Sequence, residues 1–402
     1  MPSRDDTRFH AIRAAVEAAL PTVISLRHDL HRHPELAFQE ERTARVVAEH
    51  LAAAGIPHET GVGGTYGIVA TVRGTQADSG RTFALRGDMD ALPIQEENEV
   101  PYKSTVAGKM HACGHDGHTA NLLGTALSLH ALRDRFAGTV KFLFQPAEEI
   151  TSGAKKLIAA GAIDDVDAIV MLHGWPTMAV GKIGVRIGPT MASSDSFSLV
   201  IQGKGGHGGF PHTTIDPILV GCQVVTALQT LASREISPTN PVVVSVTTFH
   251  AGTAKNIIAE TAEIGGTVRT LDPELRETMP ERIERVAAGV CAALRAGYRF
   301  EYRHGTPVTI NTAAITELIR EAGTAVLGAE NVEELPDATM GGEDFAYYLE
   351  RVPGAMFRLG TGCPSALHTP RYDYGDAPLG VGMMVMTEAA LRFLEGNTCT
   401  TP

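Results

Sequence analysis

The sequence predicts an α/β protein whose larger domain is interrupted by a smaller α+β unit, and two observations carry that expectation. Helix-like and strand-like segments alternate up to about residue 186, the pattern of a sheet covered by helices. Beyond Pro189 the pattern changes to two strand-helix-strand halves, and after Ala313 the first kind of alternation resumes. A length of 402 residues suits two or three domains at roughly 150 residues each.

In the first segment a helix-like run covers Arg27 to His33 and an amphipathic helix Thr43 to Ala54. Apolar strands follow at Tyr66 to Val72 and Phe83 to Arg86. Strands at Thr139 to Phe144 and Ala168 to Leu172 then alternate with helices at Asn121 to Leu132 and Ala154 to Ala160. The inserted unit reads as strand Ser196 to Gln202, helix Pro217 to Ser233, strands Val242 to Phe249 and Glu263 to Arg269, helix Pro273 to Ala296 and strand Tyr298 to Tyr302. Signals at Thr316 to Leu327, Ala355 to Leu359 and Val381 to Leu394 complete the first sheet. The expected domains are 1–189 joined to 306–402, with 190–305 inserted.

Composition narrows the function classes. Hydrophobic residues make up 44% and charged residues 20%, as in ordinary soluble globular proteins. Lys and Arg total 34 against 46 Asp and Glu, and no basic stripe is present, so nucleic acid is not an expected partner. No signal-like apolar core follows the charged first ten residues, and no stretch reads as about 18 apolar residues, so the expectation is a cytoplasmic protein without a membrane partner. Cys113, Cys222, Cys291, Cys363 and Cys399 are an odd, scattered set that suits reduced thiols or a metal ligand better than a disulfide framework.

Three apolar strands run into loops rich in metal-binding and acid-base side chains: Phe83 to Asp90, Val140 to Glu149 and Ile169 to His173. In open α/β sheets the ligand crevice lies at the carboxyl ends of the strands. Met110 to His118 adds Cys113 and His115 just before a helix, and Leu367 to Pro370 adds His368. Cys, His and carboxylate are the donors for zinc and its borderline-soft neighbours, and loops that converge on one crevice suit an open catalytic site better than a closed structural one. Glu148 and Glu149 matter as a pair, because hydrolysis at a metal needs one carboxylate to hold the ion and another to take a proton from water. Taken singly, each feature is as well explained by a solvated loop, a locally bonded histidine or a buried cysteine. Their recurrence on successive strand ends favours a site.

Other signals are weaker. His28, His31 and His33 near a helix end suit the helix dipole and read as structural, while His111 and His118 carry no assignment. Gly203 to Gly208 matches G-x-G-x-x-G formally, but no helix or suitably placed acidic residue follows, so it reads as a flexible loop presenting His207. A Gly-x-Ser-x-Gly elbow is absent, which removes the common serine-hydrolase reading.

With Arg32 to Leu36, Arg86 to Pro93, Met110 to Asp116, Gln145 to Glu149, Gly205 to His207, Gly341 to Phe345 and Leu367 to Pro370 in this order, nearly the whole chain resembles the M20 metallopeptidases. Within them it resembles the amidohydrolase subgroup of hippurate hydrolases, N-acyl-amino-acid amidohydrolases and plant auxin-conjugate hydrolases. The resemblance implies a catalytic domain with a central mixed sheet flanked by helices and an inserted lid and dimerisation domain. It implies two divalent metal ions held by Cys113, His115, Glu149, His173 and His368, with Glu148 as general base and Asp90 as an orienting carboxylate. It also implies that His207 serves as a lid histidine, from its own or the partner subunit, and that Asn256 and Arg269 hold the substrate carboxylate. Where other branches carry His-x-Asp and a bridging Asp, this chain has Asp88-Met89-Asp90 and Cys113, which puts a ligand role for Asp88 in doubt and leaves zinc, manganese, cobalt and nickel open.

The expected activity is metal-dependent cleavage of N-acyl amino acids by a homodimer or homotetramer. A dipeptidase or aminopeptidase acting on free-amine peptides is the alternative. A cysteine hydrolase using Cys113 and a non-catalytic binding protein are further rivals, disfavoured by the metal-type neighbours of Cys113 and by the intact Glu148.

Overall fold

The computed structural model describes residues 4–396 apart from position 78, so Cys399 lies outside the described residues. In chain order the first stretch contains α1 (Arg4–Arg32), α2 (Glu41–Ala53), β1 (His58–Val62), β2 (Gly67–Arg73), β3 (Thr82–Asp88), α3 (His115–Ala131), β4 (Thr139–Gln145), α4 (Gly153–Ala159), β5 (Ala168–Trp175), β6 (Ile183–Val185) and β7 (Gly188–Met191). The inserted stretch contains β8 (Ser194–Gln202), β9 (Gly206–His207), α5 (Pro217–Thr230), β10 (Val242–Ala251), β11 (Ile257–Ile258), β12 (Thr261–Thr270), α6 (Pro273–Ala293) and β13 (Gly297–Thr306). The last stretch contains β14 (Thr309–Asn311), α7 (Ala313–Leu327), β15 (Val332–Glu334), α8 (Ala346–Leu349), β16 (Gly354–Gly360) and α9 (Ala377–Leu394).

These elements form two compact units: Met1–Gly188 with Ile310–Pro336 and Tyr347–Pro402, and Pro189–Thr309 with Asp337–Ala346. Sequence reading assigned residues 337–346 to the larger unit. Their backbone explains the difference: Thr339 and Gly341 carbonyls accept the Ala192 N–H, and the Thr339 N–H donates to Thr190 at 3.0 Å.

The larger unit is built on an eight-stranded mixed sheet in the order β1-β2-β4-β3-β5-β16-β6-β15. Its centre, β4-β3-β5-β16, is parallel, and the continuous apolar runs that predicted these strands are buried on both faces, as parallel strands require. α1, α3, α7 and α9 pack on one another, and α7 and α9 also pack on sheet strands. Val23, Leu26, Leu122, Leu123, Met383 and Met386 are among the side chains sealed in this core. Each such burial is worth about 1.5 to 3 kcal/mol. The helix at Arg27 proves to be the end of α1, which has Pro21 in its interior and little amphipathic contrast, and these hid its earlier turns from pattern reading. Sequence reading expected no long apolar stretch. Two helical stretches, Thr7–Arg32 and Ala377–Leu394, are nonetheless long and apolar enough by composition to cross a membrane. The second is the mostly buried core helix α9.

The smaller unit packs α5 and α6 on a four-stranded antiparallel sheet, β10-β12-β8-β13, with its own core around Leu199, Ile201, Val224, Leu228, Ile264, Val268 and Ile283. Asp216 and Asp272 cap α5 and α6 by accepting N–H bonds from the first turns, and proline occupies the start of each helix.

Candidate metal centre

Strand register aligns the ends of the parallel strands. Asp88 is paired with Gln145 across β3 and β4, and His173 with Arg358 across β5 and β16. The chain segments leaving these ends therefore emerge on one edge of the sheet. α3 starts at the same edge, entered through Gly114, whose φ of 92° favours glycine and whose Cβ would lie 2.9 Å from the Tyr372 hydroxyl. The loop after β16 is tied in by His368, whose N–H donates to Ala112 at 2.8 Å.

This places the sequence-predicted donors together. Cys113, His115 and His173 each offer a ligand atom within 4.8 Å of the others, as do Cys113, Glu149 and His368, and as do His115, Glu148 and Glu149. Cys113 Sγ lies 3.6 Å from His173 Nε2, and His368 Nε2 lies 3.3 Å from Glu149 Oε1. His115 Nε2 is buried without a hydrogen-bond partner among the described residues, and the inward Glu149 Oε1 faces neighbouring donors, His368 Nε2 and, at 3.9 Å, His115 Nε2, an arrangement that fits a cation.

Electrostatics point the same way. Burial pulls His173 down to about 3, and its Nδ1 faces the Gly174 carbonyl at 2.9 Å, so its Nε2 lone pair is directed at Cys113. Burial and Glu149 push the Cys113 thiol up, while hydrogen bonds to Cys113 and Glu149 push His368 up to about 10. The acidic and thiol neighbours thus favour positive charge at this point, which a bound divalent cation would supply.

Asp90 shapes the acidic pair through the backbone. Its two oxygens accept the N–H groups of Glu148 and Glu149, each at 3.0 Å, and its Oδ1 lies 3.3 Å from His115 Nδ1. Sequence reading missed a second buried carboxylate, Glu40, which accepts the Ala147 N–H at 2.8 Å and so fixes the amide just before that pair, at a residue held at φ 56°. Burial and then the Asp90 charge push Glu40 up to about 7. Only its position beside a helix start was visible in sequence. Glu35 rather than Glu40 caps α2, accepting from the N–H groups of Arg42 and Thr43.

Asp88 takes no share in the orphaned set. Its carboxylate accepts from Arg86 Nη1 at 2.6 Å and faces His118 Nδ1 at 2.7 Å, all three side chains being buried. Burial alone would raise this carboxyl, but His115, His118 and Arg86 hold it well below its usual range. His31 also departs from the dipole explanation. It is fully buried between Asp116 at 2.9 Å and Glu96 at 3.1 Å, so ion pairing places it.

In the smaller unit, β9 and β11 pair His207 with Ile257, and the Gly208 N–H donates to the Asn256 carbonyl at 2.8 Å, so His207 and Asn256 sit side by side and exposed. The Gly209 N–H donates to His207 Nδ1 at 3.0 Å, which leaves Nε2–H as the outward donor. A short 3-10 turn, Pro211–Thr213, follows instead of a helix, in line with the reading of the glycine run as a loop. Arg269 is half-buried, bonded through Nε to Thr267 at 3.1 Å. Burial lowers its pKa against the raising pull of Asp195.

Residues 84–392 match the family described as Peptidase family M20/M25/M40. The chain belongs to this family. It is 42% identical over 373 residues to the N-acetylcysteine deacetylase of Bacillus subtilis, covering 93% of this chain and 97% of that one. It is 48% identical over 306 residues to the N-acyl-L-amino acid amidohydrolase of Geobacillus stearothermophilus, covering 75% and 80%. Among solved structures it resembles the Bacillus subtilis YXEP protein, described as a dinuclear metal binding peptidase from the M20 family. That likeness has a TM-score of 0.83 at 38% identity and covers 94% of this chain and 99% of that one. As an M20 family member the chain is a hydrolase, and its donor clusters suit divalent metal.

Proposed function

We propose that the chain is a metal-dependent amidohydrolase that removes the acyl group from N-acyl amino acids. The observation that carries this reading is the acidic pair: Glu149 shares a donor group with Cys113 and His368, while Glu148 is held beside it by the grip of Asp90 on both amides. Cys113, His115, His173, Glu149 and His368, which fall into overlapping donor groups, are the residues that would hold the ions. A bound divalent ion supplies Lewis acidity at the amide carbonyl and acidifies water. Glu148 takes the proton from the attacking water and delivers it to the leaving nitrogen. His207, through Nε2–H, donates to the developing oxyanion, in cis or from a partner subunit. Arg269 and Asn256 hold the amino-acid carboxylate, for which the planar guanidinium fork is suited.

The thiolate donor favours zinc, with manganese, cobalt and nickel as alternatives. The same reading includes a reducing cytoplasm, where Cys113 stays unoxidised and able to bind metal, and a homodimer or homotetramer through the smaller unit, which exposes Phe249, Ile218, Leu219 and Ile257.

The test is hydrolysis of hippurate, N-acetyl-methionine, N-acetyl-phenylalanine, indole-acetyl-alanine and two free dipeptides by metal-stripped protein, with each metal added back. Metal-restored cleavage of the acylated compounds alone is expected. Preference for the free dipeptides would move the assignment to the peptidases, and metal-independent cleavage abolished by thiol alkylation would overturn the metal chemistry.

A further inference from the structure

His118 lies one helical turn after His115, and by proximity alone Asp88, His115 and His118 form a donor group of their own. The hydrogen bonds of His118 argue against a ligand role. Its Nε2 lies 2.8 Å from the Gly174 nitrogen, whose N–H can only donate, so Nε2 is an acceptor and carries no proton. The proton therefore sits on Nδ1, 2.7 Å from Asp88 Oδ1, and Asp88 is in turn fixed by Arg86. Both ring nitrogens are occupied.

The residue so gripped is the one that orients a donor. Gly174 accepts from His173 Nδ1 at 2.9 Å through its carbonyl, while its N–H is spent on His118. Pairing between β3 and β5 runs only as far as Arg86 with Met171, so beyond that point His118 takes up a strand N–H that β3 no longer reaches. The His118 ring also stands edge-on to the His173 ring, with centroids 4.8 Å apart. All of these groups are buried.

We propose that His118 is a positioning residue for the metal centre: the chain Arg86–Asp88–His118–Gly174 locks the tautomer and direction of His173, so that its Nε2 points at Cys113. This rests on the reading of His173 as a metal ligand. Groups of this kind behind a metal ligand typically change metal affinity by about 10- to 100-fold when removed.

The experiment compares wild type, His173→Ala, His118→Phe, His118→Gln and His118→Asn as metal-stripped full-length proteins. Cobalt(II) affinity is measured by competition with a chelator, together with the visible spectrum of the cobalt-loaded protein. His173→Ala is expected to weaken binding and alter the spectrum; if it does neither, the ligand reading itself fails. His118→Phe is expected to weaken cobalt binding by about tenfold or more with a changed spectrum. The amide of Gln reaches the Nε2 position and can accept from Gly174, whereas Asn reaches only the Nδ1 position, so Gln is expected to restore affinity and spectrum and Asn is not. If His118→Phe does not fold, the Gln and Asn pair still decides the matter. Equal affinity and spectra for Gln and Asn, or wild-type behaviour of His118→Phe while His173→Ala is impaired, overturns the proposal.

Discussion

Glu148 and Glu149 are chemically identical neighbours with different proposed duties, and what separates them is their company: Glu149 shares a donor group with Cys113 and His368, and Glu148 does not. Replacing Glu148 by Gln keeps the shape and removes the base. The expected result is a fall in kcat of about 10²- to 10⁴-fold with metal content unchanged, checked by steady-state rates beside elemental analysis. Arg269 acts in the proposed reaction on a part of the substrate that does not react. Arg269→Ala is expected to raise KM for an acyl amino acid by about 10- to 100-fold, the worth of a charge-assisted hydrogen bond. It should leave the matching amide, which lacks the carboxylate, unaffected; an equal loss on both compounds would falsify the clamp. The candidate donors were legible in sequence because metal chemistry admits few residue types and strand ends locate them. Glu40 and the bonding of His118 were not, since a carboxylate that accepts one distant amide leaves no local pattern.

Among the elements, α3 shows packing set against propensity. Gly117 lies inside this helix, where Ala is favoured over Gly by about 1 kcal/mol. A Cβ there would fall 2.4 Å from the buried Tyr374 ring, which is held by Asn121 at 2.9 Å and cannot swing aside cheaply. Packing wins, and Gly117→Ala is expected to destabilise the metal-free protein by about 1 to 3 kcal/mol in chemical unfolding. The strands of the parallel core were readable because each is one unbroken apolar run. β1, β6 and β15 were missed, being short elements toward the sheet margins whose residues follow no period. The segment 337–346 could not be assigned either, because the backbone pairing that ties it to the smaller unit leaves no pattern in the sequence.

Across the larger unit, α1, α3 and the loop bearing Glu96 meet at His31. Burial alone would lower this imidazole, but Asp116 and Glu96 on its two nitrogens push it to about 9. A group raised above its unfolded value of about 6.5 gives its full stabilisation below that pH and loses it as the pH climbs through 9. The stability gap between wild type and His31→Gln, measured by urea unfolding of metal-free protein, is expected to shrink between pH 6.5 and 9.5. The shrinkage should be on the order of 2 to 3 kcal/mol. The proposed metal would act over the same unit. Its candidate donors come from four separate stretches of chain, so an ion that binds only the folded form should stabilise by about 4 kcal/mol at a thousandfold excess over Kd, seen as a rise in Tm on adding metal.

The two ends of the insertion meet in the smaller sheet, where Ser194 on β8 is the direct partner of Thr306 on β13. β5 and β16 must pair across positions 169 and 354, a closure that ordinarily slows folding. Once the smaller unit has formed on its own core, more than half of the chain between those partners is spanned by a single cross-strand contact. The loop still to be closed is less than half as long, which lowers its entropic cost by somewhat more than about 0.6 kcal/mol. An insertion that folds ahead of its host sheet would thus act on the assembly of that sheet as a clasp, bringing strand β16 to a partner made long before it in the chain.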